Sequence, residues 1–451
     1  MFFLRNLKNH LSSKDLRKIL SFGALSFIIL INYSILRVLK DGFVVKNMGA
    51  EAIGLLKFYF LSPVMVILLL IYTNLSNHFS QRKIFFGFCV GFLTLFLILF
   101  VIFFKGQILL LSNTEIEIYA KKIPRFKWFV KIILNWHYSL FYILSELWGS
   151  IIYTLFFFQL SNSVFTSNEA KIQYPFIIII GNFSLPAAGG IISFFSGSIK
   201  EIFFVIIAIN VLTIFCYHFI STGFGSEPLV QKEINKNRQS LTESLRIIFS
   251  SKKLWLLFIM LISLGISLNV TEVFWKSKLE KLSDSTTNYI KNMGQIQTYQ
   301  GWISMLFTLF GAIFLKYFSW KTSSLIVPIF IFITGSTFFS LLIFGISMKT
   351  AIFFGIVQTI IGKCIKYSLF DPAKEIIYIN LDPDLKTKGK ATVDLLGGRL
   401  GKSTLGVLES ILFFIIPTAS FENTIVFFGA IFVIIILAWI KAVITLAKEI
   451  K

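Results

Sequence analysis

Along this chain the apolar residues do not alternate with polar ones. They run in unbroken blocks of about twenty, the length a helix needs to cross the hydrocarbon of a bilayer. Six blocks lie near 19–39, 54–75, 83–104, 139–160, 174–197 and 201–222. After a polar, basic break, six more lie near 254–275, 297–316, 322–343, 350–370, 391–416 and 424–446. Barrel strands would alternate apolar and polar over about ten residues. The pattern therefore predicts an all-α polytopic membrane protein with about twelve transmembrane helices. The break carries Lys232, Glu233, Lys236, Asn237 and Arg238, and is the one long polar stretch near the middle. It predicts an N-terminal six-helix half over 1–222, a basic cytoplasmic linker over 223–252 and a C-terminal six-helix half over 253–451.

Composition narrows the class. Of 451 residues, 56% are apolar and 14% charged, with a mean hydropathy of +0.79. A soluble domain is nearer about 25% charged, and a disordered chain is polar and charge-rich, so both are excluded. Cys89, Cys216 and Cys364 each lie inside an apolar block, without the spacing of a disulfide frame. His10, His78, His137 and His218 are scattered, with no pair at i, i+4, so no metal site is expected. Two six-helix halves facing one another is a major-facilitator-like layout, with the substrate site near the midplane between them.

Lys and Arg are more numerous in the loops on the side that carries the termini, which places both termini in the cytoplasm. Arg5, Lys8, Lys14, Arg17 and Lys18 precede a first block that reads as an uncleaved span. One outer segment breaks the bias. Lys121, Lys122, Arg125, Lys127 and Lys131 stand among Phe126, Trp128 and Phe129 over 105–137. That mixture predicts a helix lying on the membrane surface, or a basic collar that attracts anions.

Ionisable residues inside spans are costly and mark function. Arg37 and Lys40 share a face at the end of span 1. Glu146 lies in span 4, Glu272 near the end of span 7 with Lys276 a turn later, and Lys363 and Lys366 share a face of span 10. Lys386, Lys388 and Lys390 lead into span 11, which carries Arg399 and Lys402. In the major-facilitator layout spans 1, 4, 7 and 10 line the cavity. Lys57 reads as a snorkelling side chain. Bases outnumber acids in this cavity, and the surplus calls for a polyanion; Arg offers a planar fork and Lys a point charge for phosphates. Trp148, Trp275 and Tyr367 are candidates to stack a base. Span 1 has Asn32 about a turn before Arg37, Lys40 and Asp41, and span 7 has Asn269 before Glu272, Lys276 and Lys278, a hint of internal repetition. Gly397-Gly-Arg-Leu-Gly-Lys-Ser-Thr404 imitates a phosphate loop, but the first Gly of that motif would fall on Leu396 and no strand precedes it. Gly397 and Gly401 read instead as a close helix-packing motif, and no site for ATP hydrolysis is expected.

Four segments together resemble the nucleotide transporter (ATP/ADP translocase) family of obligate intracellular bacteria and plastids. They are Asn32-Tyr-Ser-Ile-Leu-Arg37 through Lys40-Asp41, Glu146-Leu-Trp-Gly-Ser150, Gly265-Ile-Ser-Leu-Asn269 with Glu272-Val-Phe-Trp-Lys-Ser-Lys278, and Lys366-Tyr-Ser-Leu-Phe-Asp-Pro-Ala-Lys-Glu375 continuing to Gly401-Lys-Ser403. The resemblance covers the chain from about residue 20 to 445. It implies import of ATP in exchange for ADP, or, as in other members, transport of other nucleotides or proton-coupled import. The family's functional Lys of span 1 falls on Lys40, its carboxylates on Glu146 and Glu272, and its late Lys on Lys390 or Lys388. The sequence departs from the family's pattern at Val38-Leu39, at Phe156 to Asn162 and at Thr404-Leu405, which touches cavity walls rather than the phosphate-binding charges.

The expectation is a monomeric carrier, not an enzyme, without cofactor, in a bacterial inner membrane or, alternatively, a plastid inner envelope. ATP and ADP would be its partners, with the lipid bilayer and no nucleic acid. Arg37, Lys40, Glu146, Glu272, Lys366, Lys388, Lys390 and Arg399 are the expected substrate-binding residues.

Overall fold

The computed structural model describes residues 12–106, 111–224, 249, 251–317, 319–379 and 389–449. The chain's mid-section from 225 to 248, which holds most of the expected linker, lies outside the described residues, as does Lys388. Among the described residues the protein is all helix, with no strand.

The first half comprises α1 (Ser13–Met48), α2 (Ala52–His78), α3 (Gln81–Lys105), α4 (Asn113–Lys122), α5 (Lys127–Leu134), α6 (Trp136–Val164), α7 (Ser167–Asn182), α8 (Ser184–Phe194) and α9 (Ile199–Gly223). The second comprises α10 (Lys252–Lys281), α11 (Thr286–Tyr317), α12 (Trp320–Ile343), α13 (Met348–Tyr378), α14 (Gly398–Ile415) and α15 (Ile425–Glu449). Among the described residues ten stretches are long and apolar enough to cross a membrane. The eighth and eleventh expected spans correspond to α11 and α14. The side chains of α11 from 308 to 316 lie outside the described residues, and the 18 residues of α14 carry three charges, Arg399, Lys402 and Glu409. The basic segment after α3 forms two short helices, α4 and α5, as its mixed composition predicts.

Helix starts follow local chemistry. Ser12, Ser112 and Thr166 each accept a bond from the third helical N–H, while Asp15, Glu115 and Glu169 reach back to the cap residue. Inside α2, α6 and α13 the helix widens to π turns at Leu56–Leu61, Gly149–Phe157 and Lys366–Phe370, and a fourth, Val393–Gly397, leads into α14. Such bulges cluster at functional sites because they re-aim side chains mid-helix. Here they hold Lys57, begin three residues after Glu146, begin at Lys366 and hold Asp394.

Close approaches at glycine set the packing. Within the second half, Gly401 of α14 lies on Gly265 of α10, so that a Cβ on Gly265 would stand 2.7 Å from the Gly401 Cα. Between the halves, α8 meets α11 at Gly189 and Gly294, and α2 meets α14 at Gly54 and Gly406. At both seams backbones approach closely, Gly189 to the Gly294 carbonyl and Gly406 to the Gly54 carbonyl, with the Thr298 and Glu409 side chains beside them. Gly265→Ala should destabilise the protein by about 1–3 kcal/mol, because neither backbone can yield. Gly398→Ala, where a Cβ meets open space, should be neutral or gain up to about 1 kcal/mol from helix propensity. Thermal unfolding in detergent separates the two by sign.

Candidate substrate site between the two halves

Four spans bring their charges to one place. Lys40 Nζ on α1 lies 2.6 Å from Asp41 Oδ1 and 3.0 Å from Glu146 Oε1 on α6, with its ammonium 4.1 Å above the Tyr142 ring. Asp41 Oδ2 receives Lys276 Nζ of α10 at 2.6 Å. Lys276 also meets Glu272 Oε1 one turn back at 2.8 Å, and Glu272 Oε2 meets Lys363 of α13 at 2.8 Å. The result is one alternating row, Glu146–Lys40–Asp41–Lys276–Glu272–Lys363. Lys40 is 3% exposed, and Asp41 and Lys276 5% each. Removing such charges from water costs several kcal/mol apiece, so only continuous pairing keeps them there. The Asp41–Lys276 contact is the link in the row that joins the two halves.

The row is neutral, but its surroundings are not. Arg37 lines a cleft of about 350 Å³, counted to its open mouth, together with Asp41, Glu272, Lys276 and Lys363. Lys57, on the π turn of α2, lies in the field of Glu146 and Lys40 rather than snorkelling outward, because that π turn re-aims it at the row. Neither Arg37 nor Lys57 has an ion-pair partner among the described residues. Gln297 also lines the cleft, and its amide nitrogen is buried without a hydrogen-bond partner among the described residues. An anion in the cleft that took the Arg37 charge and the amide donor would satisfy both.

Of the expected site residues, Arg37, Lys40, Glu146 and Glu272 converge here. Lys366 and Lys390 do not join them. Lys366 pairs with Asp371 at 2.7 Å and Lys390 with Glu375 at 2.6 Å, beside Lys374, which pairs with Asp394 at 2.7 Å. This second cluster ties α13 to the turns before α14. Arg399 sits on α14, but its side chain, like all of Lys388, lies outside the described residues. Of the candidate stacking rings, Trp148 is fully buried against Phe92, and Trp275 is 1% exposed with its indole N–H donating to Thr359 at 2.9 Å. Both are packing residues; Tyr367, 69% exposed beneath the Lys366 ammonium, is the ring left open. Asp41, Lys276, Lys363 and Gln297 were not singled out as site residues, although the charged three stand in spans whose charges were noted.

The halves are fastened at one end. Lys46 Nζ donates to the carbonyls of Ser283 at 2.7 Å and Glu280 at 3.1 Å. The Phe421 N–H donates to Glu51 at 3.0 Å, and Lys127 to the Ala419 carbonyl at 3.1 Å. Burial pushes the Glu51 carboxyl above the ordinary carboxylate range, and the Phe421 N–H partly offsets that. These bonds, with Asp41–Lys276 and the Lys46–Glu280 ion pair at 3.3 Å, join the halves toward the end remote from the termini. The structure is closed at that end.

A family model described as TLC ATP/ADP transporter matches residues 4–450. The chain belongs to the TLC ATP/ADP transporter family. It is 35% identical to ADP,ATP carrier protein 1 of Rickettsia bellii (strain RML369-C), over 96% of this chain and 93% of that one. It is 36% identical to ADP,ATP carrier protein 1 of Rickettsia typhi (strain ATCC VR-144 / Wilmington), over 99% and 96%. Among solved structures, the nucleoside transporter NupG overlays with a TM-score of 0.60 at 14% identity, over 94% of this chain and 98% of that one. A bacterial homologue of the iron transporter ferroportin in its inward-facing state overlays at 0.62 with 11% identity, over 97% and 99%. The fold of this family member is thus all-helical and major-facilitator-like.

The Asp41–Lys276 link is open to a direct energetic test. Asp41→Asn and Lys276→Gln should each destabilise the protein, and the double variant by less than the sum of the two. The coupling should fall within about 0.5–3 kcal/mol, read from thermal or chemical unfolding of all four proteins.

Proposed function

We propose that this protein exchanges ATP for ADP across a bacterial inner membrane, by alternating access to the cleft that Arg37, Lys40, Glu272, Lys276 and Lys363 surround. The observation that carries this reading is the charge row with its surplus of two bases. Both termini are assigned to the cytoplasm, so the fastened end faces outward and the structure is the cytoplasm-facing state. The two moving bodies are 1–222 and 253–451, with 223–252 as their linker, and the carrier works as a monomer. It needs no cofactor and no covalent chemistry.

In this scheme the phosphate chain enters against Arg37 and Lys57, then competes with the carboxylates for Lys40, Lys276 and Lys363. Opening the outer end requires Asp41 to part from Lys276. In an empty carrier that leaves buried charges short of a partner, at a cost of about 3–5 kcal/mol. A bound phosphate chain supplies the missing counter-charge. Loaded carriers therefore cross between states and empty ones stay put, which yields exchange rather than net flow. Lys366 and Lys390, with Tyr367 between the two clusters, stand on the cytoplasmic side of the row and receive nucleotide entering or leaving there; Lys388 and Arg399 are assigned to the same basic path.

Uptake of labelled ATP into cells expressing the protein should need internal nucleotide and be suppressed by excess ADP, but hardly by adenosine, which has no phosphate. Equal competition by adenosine overturns the phosphate reading. Lys40→Gln should weaken ATP binding about 10- to 150-fold, the worth of a charge-assisted hydrogen bond. Glu272→Gln should behave differently, because Glu272 competes with substrate for Lys276 and Lys363. Its binding should hold or tighten while exchange in liposomes slows. If Glu272→Gln binds as poorly as Lys40→Gln with its fold intact, Glu272 is a substrate contact and not a counter-charge.

A further inference from the structure

Outside the cleft, an apolar groove of about 960 Å³, counted to its open mouth, stands in the structure. It lies where both halves meet at the closed end. Leu55 and Tyr59 of α2 and Trp128 and Phe129 of α5 form one side; Phe413 and Phe414 of α14 form the other. Exposed apolar rings are ordinary on a lipid-facing surface, but a concave slot of this size is not. Left empty, its walls forfeit their dispersion contacts, so an elongated apolar chain fits it better than a flat lipid layer does.

The mouth of the groove is basic. Arg125 lines it, its guanidinium 5.8 Å from the Phe414 ring centre. Lys121 and Lys122 end the neighbouring helix α4, and Lys122 stands 5.2 Å over Tyr119. The other two bases of this segment are committed, Lys127 to the Ala419 carbonyl and Lys131 to Glu117. Among the described residues Arg125, Lys121 and Lys122 have no ion-pair partner. An apolar slot lined by Arg125, with Lys121 and Lys122 ending the helix just before it in the chain, matches a molecule with an acyl chain and a negatively charged head. A nucleotide lacks the chain, and a zwitterionic lipid lacks the net charge.

We propose that this groove binds one anionic phospholipid, its acyl chain between α2, α5 and α14 and its phosphate at Arg125, Lys121 and Lys122. The walls come from both halves, so the bound lipid bridges them only while this end is closed, and it stabilises the state described here. The surface helices α4 and α5 thereby act as a lipid clamp across the inter-half seam.

Native mass spectrometry of the full-length protein, extracted from bilayers of equal phosphatidylglycerol and phosphatidylcholine, tests the site. The wild type should retain phosphatidylglycerol in preference to phosphatidylcholine. Arg125→Gln should reduce that preference about fivefold, the worth of one base near a lipid surface, and Lys121→Gln/Lys122→Gln/Arg125→Gln further. Ile411→Trp, which fills the groove without changing charge, should reduce retention of phosphatidylglycerol to a similar degree. Lys200→Gln/Lys349→Gln, which removes exposed charge elsewhere, should leave the preference intact. A wild type without preference, retention that survives either the charge change or the groove filling, or an equal loss in the Lys200/Lys349 variant overturns the proposal. If neutralising the three bases instead slows ATP uptake at low salt only, with lipid retention unchanged, the segment steers nucleotide and is not a lipid site.

Discussion

A row of charges that cannot be left unpaired in a low-dielectric interior governs this protein. Each carboxylate in Glu146–Lys40–Asp41–Lys276–Glu272–Lys363 is stable where it lies only because a lysine stands on it, and each lysine only because of a carboxylate. The row crosses from one half to the other once, through Asp41 and Lys276. Parting the halves at the end remote from the termini must find another partner for these groups. The rest of the structure can be understood as holding that row in place or letting it part.

The packing serves both demands. Glycine-on-glycine contact between α10 and α14 makes the second half rigid, so Glu272 and Lys276 move as a unit with it. At the two inter-half seams, Gly189 with Gly294 and Gly54 with Gly406, backbones come close because glycine leaves room, and the Thr298 and Glu409 side chains pack into the same space. The fastening outside the row consists of Lys46, which bonds two carbonyls and pairs with the partly exposed Glu280 carboxylate, and of one bond each from Lys127 and the Phe421 N–H; partly hydrated contacts of this kind are worth less than the buried row. Commitment to the closed state therefore rests mainly on the charges, which are also the groups a polyanion can displace.

The second cluster differs in kind. Lys366–Asp371, Lys374–Asp394 and Lys390–Glu375 all lie within the second half and are more exposed than the row. Partly hydrated pairs of this sort contribute little to stability and exchange partners readily. They suit a path along which a charged solute passes, while the row suits a site at which it must displace something to stay.

The sequence alone determined the element pattern, because about twenty continuous apolar residues have one stable solution in a bilayer, a helix with every backbone group bonded internally. It also disclosed which spans carry buried charge, since Arg37, Lys40, Glu146, Glu272 and Lys363 stand within apolar blocks. Segment order and motifs such as Lys366 to Glu375 pointed to the family. The partners of those charges were decided only in three dimensions. Asp41 looked like a residue closing span 1, yet it accepts from lysines of both halves. Lys57 looked like an interfacial snorkel until the π turn at Leu56–Leu61 aimed it at Glu146. Trp148 and Trp275 had the composition of stacking rings but were taken up by packing, and Lys366 and Lys390 found carboxylates near to them in the chain instead of joining Lys40. Hydrophobic periodicity is local and legible in one dimension; a counter-charge is chosen by distance across helices, and that distance exists only once the halves are packed.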